Sequence, residues 1–446
     1  MNETSMDMVH GPLLKNIFIF AVPLMLTSLL QMLFNAADTI VVGKFAGDLS
    51  LGAVGACGSI IFLLTSLFNG IASGVNVVIA RLLGQQDYKR VTKAVHTSML
   101  LSILSGLVLT FIAIFSSRFL LSMMSTPSNL IDLSDLYMKI YFSGVLFLLV
   151  YNFGAAVLRS KGDTKRPLYF LLISGVLNVL LNLLFVIAFQ WGVAGVAIAT
   201  VISQAVSAIL IWMTLLHEKD ATHIEMKQLK IDFSLVKDIL KIGIPAGLQG
   251  IVFSFSNIVI QSSINSFDSA IIVAGNSAAN NIENFVYIGM NAFAQATMTF
   301  TSQNVGANHK QSIHKILYMT LILAFVSGFL VGFIAWLFGD FFLSLYTNEQ
   351  AVIEAGKLRL TYVTLLLVLN GVIDVFVFSM RGMGYSTLPT LFMLIGICGI
   401  RLIWLLFIFP LHRTLTMIYL CFPISWSITA LILGLLWLKT YKKVMS

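Results

Sequence analysis

Three carboxylates stand where a carboxylate is costly. Asp38, Glu283 and Asp374 each lie within a long stretch of otherwise mainly apolar residues. An acid at the centre of a hydrocarbon layer costs about 2.5–3.5 kcal/mol on insertion scales, so each of them needs a role or a partner. Asp38 is the simplest case. A carboxyl of this kind can hold a proton, or a monovalent cation if neutral oxygens complete its surroundings. Asn178 and Asn182 are four residues apart and share one helical face. Thr200 adds a hydroxyl. Counted at about 1.5 Å per helical residue, all four fall within roughly 15 Å of the same end of their helices. Asp38, Asn178, Asn182 and Thr200 are therefore the candidate cation site, and Asp38 is the metal ligand if the ion is Na⁺.

A second polar group reads differently. Asn276, Asn280, Glu283, Tyr287 and Asn291 follow one another at steps of 4, 3, 4 and 4, which keeps them on one face of a helix. Asn370 and Asp374 are four apart on another. Glu283, Asn280, Tyr287, Asn276, Asn370 and Asp374 are candidates for a substrate cavity. The alternative for Glu283 is a structural ion pair with Arg401, which lies at comparable depth. Pro23 and Pro245 each remove a hydrogen bond from a helix interior, as a static kink or as a hinge. Met290, Met298 and Phe253 are candidates for a soft, adaptable wall.

The elements that position these residues follow from composition. Of 446 residues 58% are hydrophobic and 10% charged, and the mean hydropathy is +0.94. A soluble domain carries about 25% charge, so a soluble enzyme, a disordered chain and a disulfide scaffold are excluded. At about 20 residues per crossing, the apolar content suffices for about a dozen membrane helices. The uncharged runs place six spans before His217 and six after Lys241, the last two of the first six meeting near Gln190–Gly192. The three cysteines, Cys57, Cys398 and Cys421, sit in apolar stretches and imply no disulfide or metal cluster.

With the amino terminus in the cytoplasm, 20 of the 27 Lys and Arg residues fall on the inner side and 6 outside, with Arg401 within a span. The net charge of +8 is thus a topology signal and not a nucleic-acid footprint. Both termini are then expected in the cytoplasm, in a multi-pass inner-membrane protein. A shift of 222 positions brings Pro23 onto Pro245, Asn69 onto Asn291, Gly84 onto Gly306 and Arg159 onto Arg381. Each half has six spans, so the halves enter the membrane from the same side and are expected to be related by a pseudo-two-fold axis along its normal. The expected organisation is an N-lobe at 1–216, a cytoplasmic linker at 217–241 and a C-lobe at 242–446. Two such bundles with a cleft between them are a transporter architecture.

The run from Gln31 to Gly47, with Asn35, Asp38, Thr39 and Gly43, resembles the first-helix signature of the multidrug and toxic compound extrusion (MATE) family. So does Leu158–Pro167, and Met380–Pro389 is its weaker copy. The resemblance implies an all-α membrane protein of twelve helices in two six-helix lobes. It also implies antiport of small organic compounds against Na⁺ or H⁺, with Asp38, Asn178, Asn182 and Thr200 as the cation site. Some relatives carry an acid where this chain has Asn182, and many carry one in the seventh helix and one at the position of Asn370. Those roles do not transfer here.

The expected partners are an organic substrate and the bilayer, with no cofactor beyond the coupling ion, no nucleic acid and a monomeric chain. A lipid-linked oligosaccharide flippase of the wider superfamily is the alternative, although few basic residues are expected in the cavity. An intramembrane enzyme is a further one. His217–Glu218 begins a His-Glu-x-x-His pattern that fails at Ala221, and no phosphate-binding loop is present.

Overall fold

The computed structural model describes residues 6–124 and 126–445. Over this range the chain is helical, in twelve long elements: α1 Leu13–Ala46, α2 Asp48–Gly84, α3 Tyr88–Met123, α4 Ile131–Ser143 with Val145–Ser160, α5 Lys165–Ala188 and α6 Gly192–His217; then α7 Phe233–Asn265, α8 Ala270–Gly306, α9 Gln311–Leu337, α10 Gln350–Gly382, α11 Thr387–Leu411 and α12 Leu415–Met445. Ten of them are long and apolar enough to cross a membrane, and α4 is a pair of helices bent by 45° that passes together. α8 is the exception, because it carries the polar stripe. Helices are what hydrocarbon demands, since each satisfies its own backbone.

Two compact units form, and they cut across the halves 1–216 and 242–446. One contains Leu26–Gly247; the other contains Asp7–Met25 together with Leu248 onward. The chain changes unit two residues after Pro23 and two residues after Pro245, at positions 222 apart. α1 and α7 each run through their proline as helix.

Close backbone approach explains why the start of α7 belongs to the first unit. Gly70 and Gly74 of α2 face Gly243 and Gly247 of α7, small residues spaced by four on both helices. A Cβ on Gly70 would lie 2.1 Å from the Gly247 nitrogen, and one on Gly247 would lie 2.5 Å from the Leu67 Cα. In the second unit the start of α1 buries Ala21 and Phe20, with the Phe20 ring edge-on to Phe300 of α8 at 5.6 Å.

The polar segment expected as a linker at 217–241 is docked. Residues 218–232 lie on the first unit and α7 begins at Phe233. Thr92 Oγ1 donates to the Ala221 carbonyl at 3.0 Å, the Glu225 amide donates to His96 Nε2 at 2.9 Å, and the Asp232 amide donates to Thr97 Oγ1 at 3.1 Å. A buried ion cluster fastens the other end. Lys161 Nζ lies 2.8 Å from Glu218 Oε2 and 2.9 Å from Asp220 Oδ2, and donates to Thr222 Oγ1 at 3.1 Å. Arg166 reaches Glu218 Oε1 at 2.6 Å and also pairs with Asp163.

Burial tends to raise the Asp220 carboxyl, but the Thr222 hydroxyl and the Lys161 ammonium outweigh it and hold the group below its ordinary value. The folded state therefore binds this proton less readily than the unfolded chain does. The resulting stability is fully present above about pH 4 and is lost as pH falls through the depressed folded value. Lys161 and Glu218 are both about 95% buried, so Lys161→Met leaves Asp220 without its cation and the buried Glu218 with Arg166 alone. The expected loss is about 3 kcal/mol or more, read as a lower Tm of the purified protein; an unchanged Tm would contradict the cluster's role.

Candidate functional site

The site of the first unit begins with a face on each of four helices. Gln31, Phe34, Asn35 and Asp38 recur at one-turn intervals on α1, Ser174, Gly175 and Asn178 on α5, and Thr200, Ser203, Gln204 and Ser207 on α6. With Tyr141, Tyr151 and Asn152 of α4 they enclose a cavity of about 260 Å³. Gly175 sets the distance between α1 and α5: a Cβ there would lie 1.9 Å from the Phe34 ring. The bare glycine admits that ring, and α5 comes close enough for its amides to reach Asp38.

The four residues expected as a cation site form one contiguous network. Asn182 Nδ2 donates to Asp38 Oδ1 at 2.5 Å and to Asn178 Oδ1 at 3.3 Å. Asn178 Nδ2 donates to Thr200 Oγ1 at 3.4 Å, and the Thr200 hydroxyl donates to the Val196 carbonyl at 3.0 Å. Asn182 is fully buried, and its Oδ1 has no hydrogen-bond donor. An acceptor buried without a donor costs roughly 1–3 kcal/mol, and a cation or a protonated group is what offsets it. Asp38 and Asn182 also sit at the ends of regular helix, just before the π-helical turns Val42–Ala46 and Leu183–Ala188. Such turns interrupt the regular ladder and recur at functional sites. Gln31, Tyr141 and Gln204 line the cavity too and were not singled out from sequence; their polar faces are legible only once α4 and α6 are placed opposite α1.

The second unit answers its own acids differently. Glu283 is held by Arg359, not by Arg401. Arg359 Nε and Nη2 meet the two carboxylate oxygens at 2.8 and 2.7 Å. Arg359 Nη1 donates to Asn276 Oδ1 at 2.6 Å and Nη2 to Asn280 Oδ1 at 3.1 Å, while Thr364 Oγ1 donates to Glu283 Oε1 at 3.1 Å. The correction extends to topology. The charge tally counted Arg359 on the outer side, at the start of its span, and the structure buries it to 95% at a helical position before the π turn Leu360–Thr364. Arg401 is buried separately, stacked over Phe422 at 4.2 Å with its Nε donating to Ser425 Oγ at 3.1 Å.

The stripe on α8 thus divides. Asn276, Asn280 and Glu283 face Arg359. Tyr287 donates to Asp374 Oδ2 at 2.6 Å and accepts from Asn291 Nδ2 at 3.1 Å. Asn370 lies on α10 one turn before Asp374, outside both networks. Met290 and Met298 are buried inside the unit, where Met290 packs against Gly328 and Gly371.

A chain of twelve long helical elements, ten of them long and apolar enough to cross a membrane, with one incompletely partnered acid among the described residues of its first-unit cavity, belongs to the class of multi-pass membrane transporters. The family model MatE matches it twice, over residues 23–184 and 245–406, two segments that start and end 222 residues apart. The chain is a member of the MatE family, the MATE multidrug efflux transporters. It is 29% identical over 376 residues to the Probable multidrug resistance protein YpnP of Bacillus subtilis, covering 82% of this chain and 83% of that one. It is 22% identical to the Multidrug export protein MepA of Staphylococcus aureus, over 94% and 92% of the two chains. A MOP superfamily transporter from Pyrococcus furiosus shares the fold with a TM-score of 0.91 at 22% identity, covering 98% of each chain.

The bidentate pair makes Glu283 and Arg359 a structural unit. Glu283→Ala is expected to cost about 3–5 kcal/mol by leaving the guanidinium buried and unpaired, whereas Glu283→Leu with Arg359→Met recovers most of the loss. Thermal unfolding of the three variants checks this. A double variant no better than Glu283→Ala would show that the charges serve something other than each other.

Proposed function

We propose that this MATE transporter exports small organic compounds, cationic or amphipathic, in exchange for Na⁺ or H⁺ that binds at Asp38. The observation that carries the reading is the Asp38–Asn182–Asn178–Thr200 network, with an unpartnered amide oxygen beside a carboxylate whose side-chain donor among the described residues, Asn182, is neutral. One carboxylate with neutral oxygens matches a weakly held monovalent ion, and the same carboxyl can hold a proton instead. The names of the relatives supply the substrate class, as drugs exported from the cell.

Coupling requires that ion and drug prefer different conformations. Neutralising Asp38 removes the only charge of its network, so the helices α1, α5 and α6 are free to repack between the two states. Access to the site then alternates between the faces of the membrane. Pro23 and Pro245, near which α1 and α7 pass from one unit to the other, are the places where such a change is accommodated with least loss of helix hydrogen bonding. The excess of Lys and Arg on one side supports a topology with both termini in the cytoplasm of the host cell.

Efflux from proteoliposomes under separate Na⁺ and pH gradients tests the reading. Uphill flux of an organic cation is expected to follow at least one of the gradients, and Asp38→Asn is expected to lower the gradient-driven component by about tenfold or more. Flux indifferent to both gradients would remove the antiport reading. Coupling that survived in Asp38→Asn would remove the Asp38 assignment alone.

A further inference from the structure

The docked segment 218–232 does more than join α6 to α7, because it closes a basic cleft against the start of α3. The cleft has a volume of about 700 Å³ and is lined by Lys89 and Lys93 of α3 and by Lys227, Lys230 and Asp232 of the segment. Its walls are firm, held by the hydrogen bonds from Thr92, His96 and Thr97 to the segment's backbone. Among the described residues none of the four lysines forms an ion pair. One acid, Asp232, lies among the four lysines of the lining, which leaves the basic groups in excess by three. Asp232 Oδ1 accepts from the Ser234 and Leu235 amides at the start of α7, and Glu225 accepts from Gln228. The surplus positive charge is therefore available to an anion.

An apolar groove of about 310 Å³ opens on the same unit, lined by Ile103 of α3, Phe147 and Val150 of α4, and Ile209, Trp212 and Met213 of α6. Lys89, His96 and Ile103 are seven residues apart, so cleft and groove lie along one face of α3. From Lys93 to Ile103 the rise is about 15 Å, which is half of a bilayer's hydrocarbon thickness of about 30 Å. Met226 and Phe233, 58% and 80% exposed, flank the segment's lysines. Apolar side chains beside a cationic cleft suit an interface and not open water.

We infer that this face of the first unit is a binding site for one anionic phospholipid, with the headgroup phosphate among Lys89, Lys93, Lys227 and Lys230 and an acyl chain in the groove at Ile103 and Trp212. The site stands apart from the Asp38 cavity and shares no residue with it. A lipid there ties α3, α4, α6 and the segment together from the membrane side.

The test is retention of lipid by the full chain, reconstituted in phosphatidylcholine containing a minority of phosphatidylglycerol and released for native mass spectrometry. The parent is expected to retain phosphatidylglycerol in preference to phosphatidylcholine by on the order of tenfold, since each basic residue near a membrane surface contributes about fivefold. Lys93→Gln with Lys230→Gln is expected to bring the preference close to parity, while Lys439→Gln with Lys442→Gln leaves it unchanged. Ala208 of α6 also lines the groove, and Ala208→Trp, which fills it and leaves the lysines in place, is expected to lower retention as well. If the cleft pair fails to fold, Lys89→Gln with Lys227→Gln carries the same prediction. Parity in the parent, or a preference that survives the cleft variants, would overturn the site. Displacement of the lipid by millimolar inorganic phosphate or glycerol 3-phosphate, with Ala208→Trp without effect, would overturn the lipid in favour of a soluble anion.

Discussion

A carboxylate within hydrocarbon must be compensated, and the kind of compensation decides what it can do. At Asp38 it is one amide, from Asn182, in turn held by Asn178 and Thr200. The amide donates a hydrogen bond and contributes no charge, so the network remains one positive charge short. On the proposed reading, such a site takes up a proton or a monovalent cation. The rest of the first unit serves this arrangement: the glycine that lets α1 meet α5, the π turns that follow Asp38 and Asn182, and the polar faces that surround the cavity.

The second unit shows the opposite solution on the same template. At the positions matched to Asp38, Asn178, Asn182 and Thr200 it has Ile260, Ile400, Trp404 and Phe422, while Glu283 and Arg359 match Ile61 and Tyr137 of the first. Where the first unit has an acid short of charge, the second has an acid gripped on both oxygens by a guanidinium that also holds two amides. Such a pair costs a great deal to open, and it joins α8 to α10. At this depth the first unit leaves Asp38 with a neutral donor and the second pairs Glu283 with a guanidinium, while Asp374 takes the neutral Tyr287 hydroxyl.

Much of this was legible in the chain. The spans follow from uncharged runs, because only helices satisfy their backbone in lipid. Asp38 and its companions followed from helical spacing and the resemblance to MATE signatures. Three features were not legible. Arg359 was counted as an outer-side cation at the start of its span, and charge placement alone cannot tell a helix end that is buried from one that is wet. The exchange of α1 and α7 between units depends on glycines 70, 74, 243 and 247 meeting across distant sequence. The segment 218–232 reads as a hydrophilic linker by composition, yet Glu218 and Asp220 pair with Lys161 and Arg166, and its backbone is hydrogen-bonded to Thr92, His96 and Thr97 of α3.

The central claim is that Asp38 exchanges a proton or an ion as the protein works, and the most direct measurement is equilibrium binding. Titrating the purified protein with Na⁺, and recording proton uptake on adding an organic cation at fixed pH, should reveal a saturable Na⁺ site or a stoichiometric proton exchange in the parent that Asp38→Asn abolishes. The same signal at full size in Asp38→Asn would contradict the account.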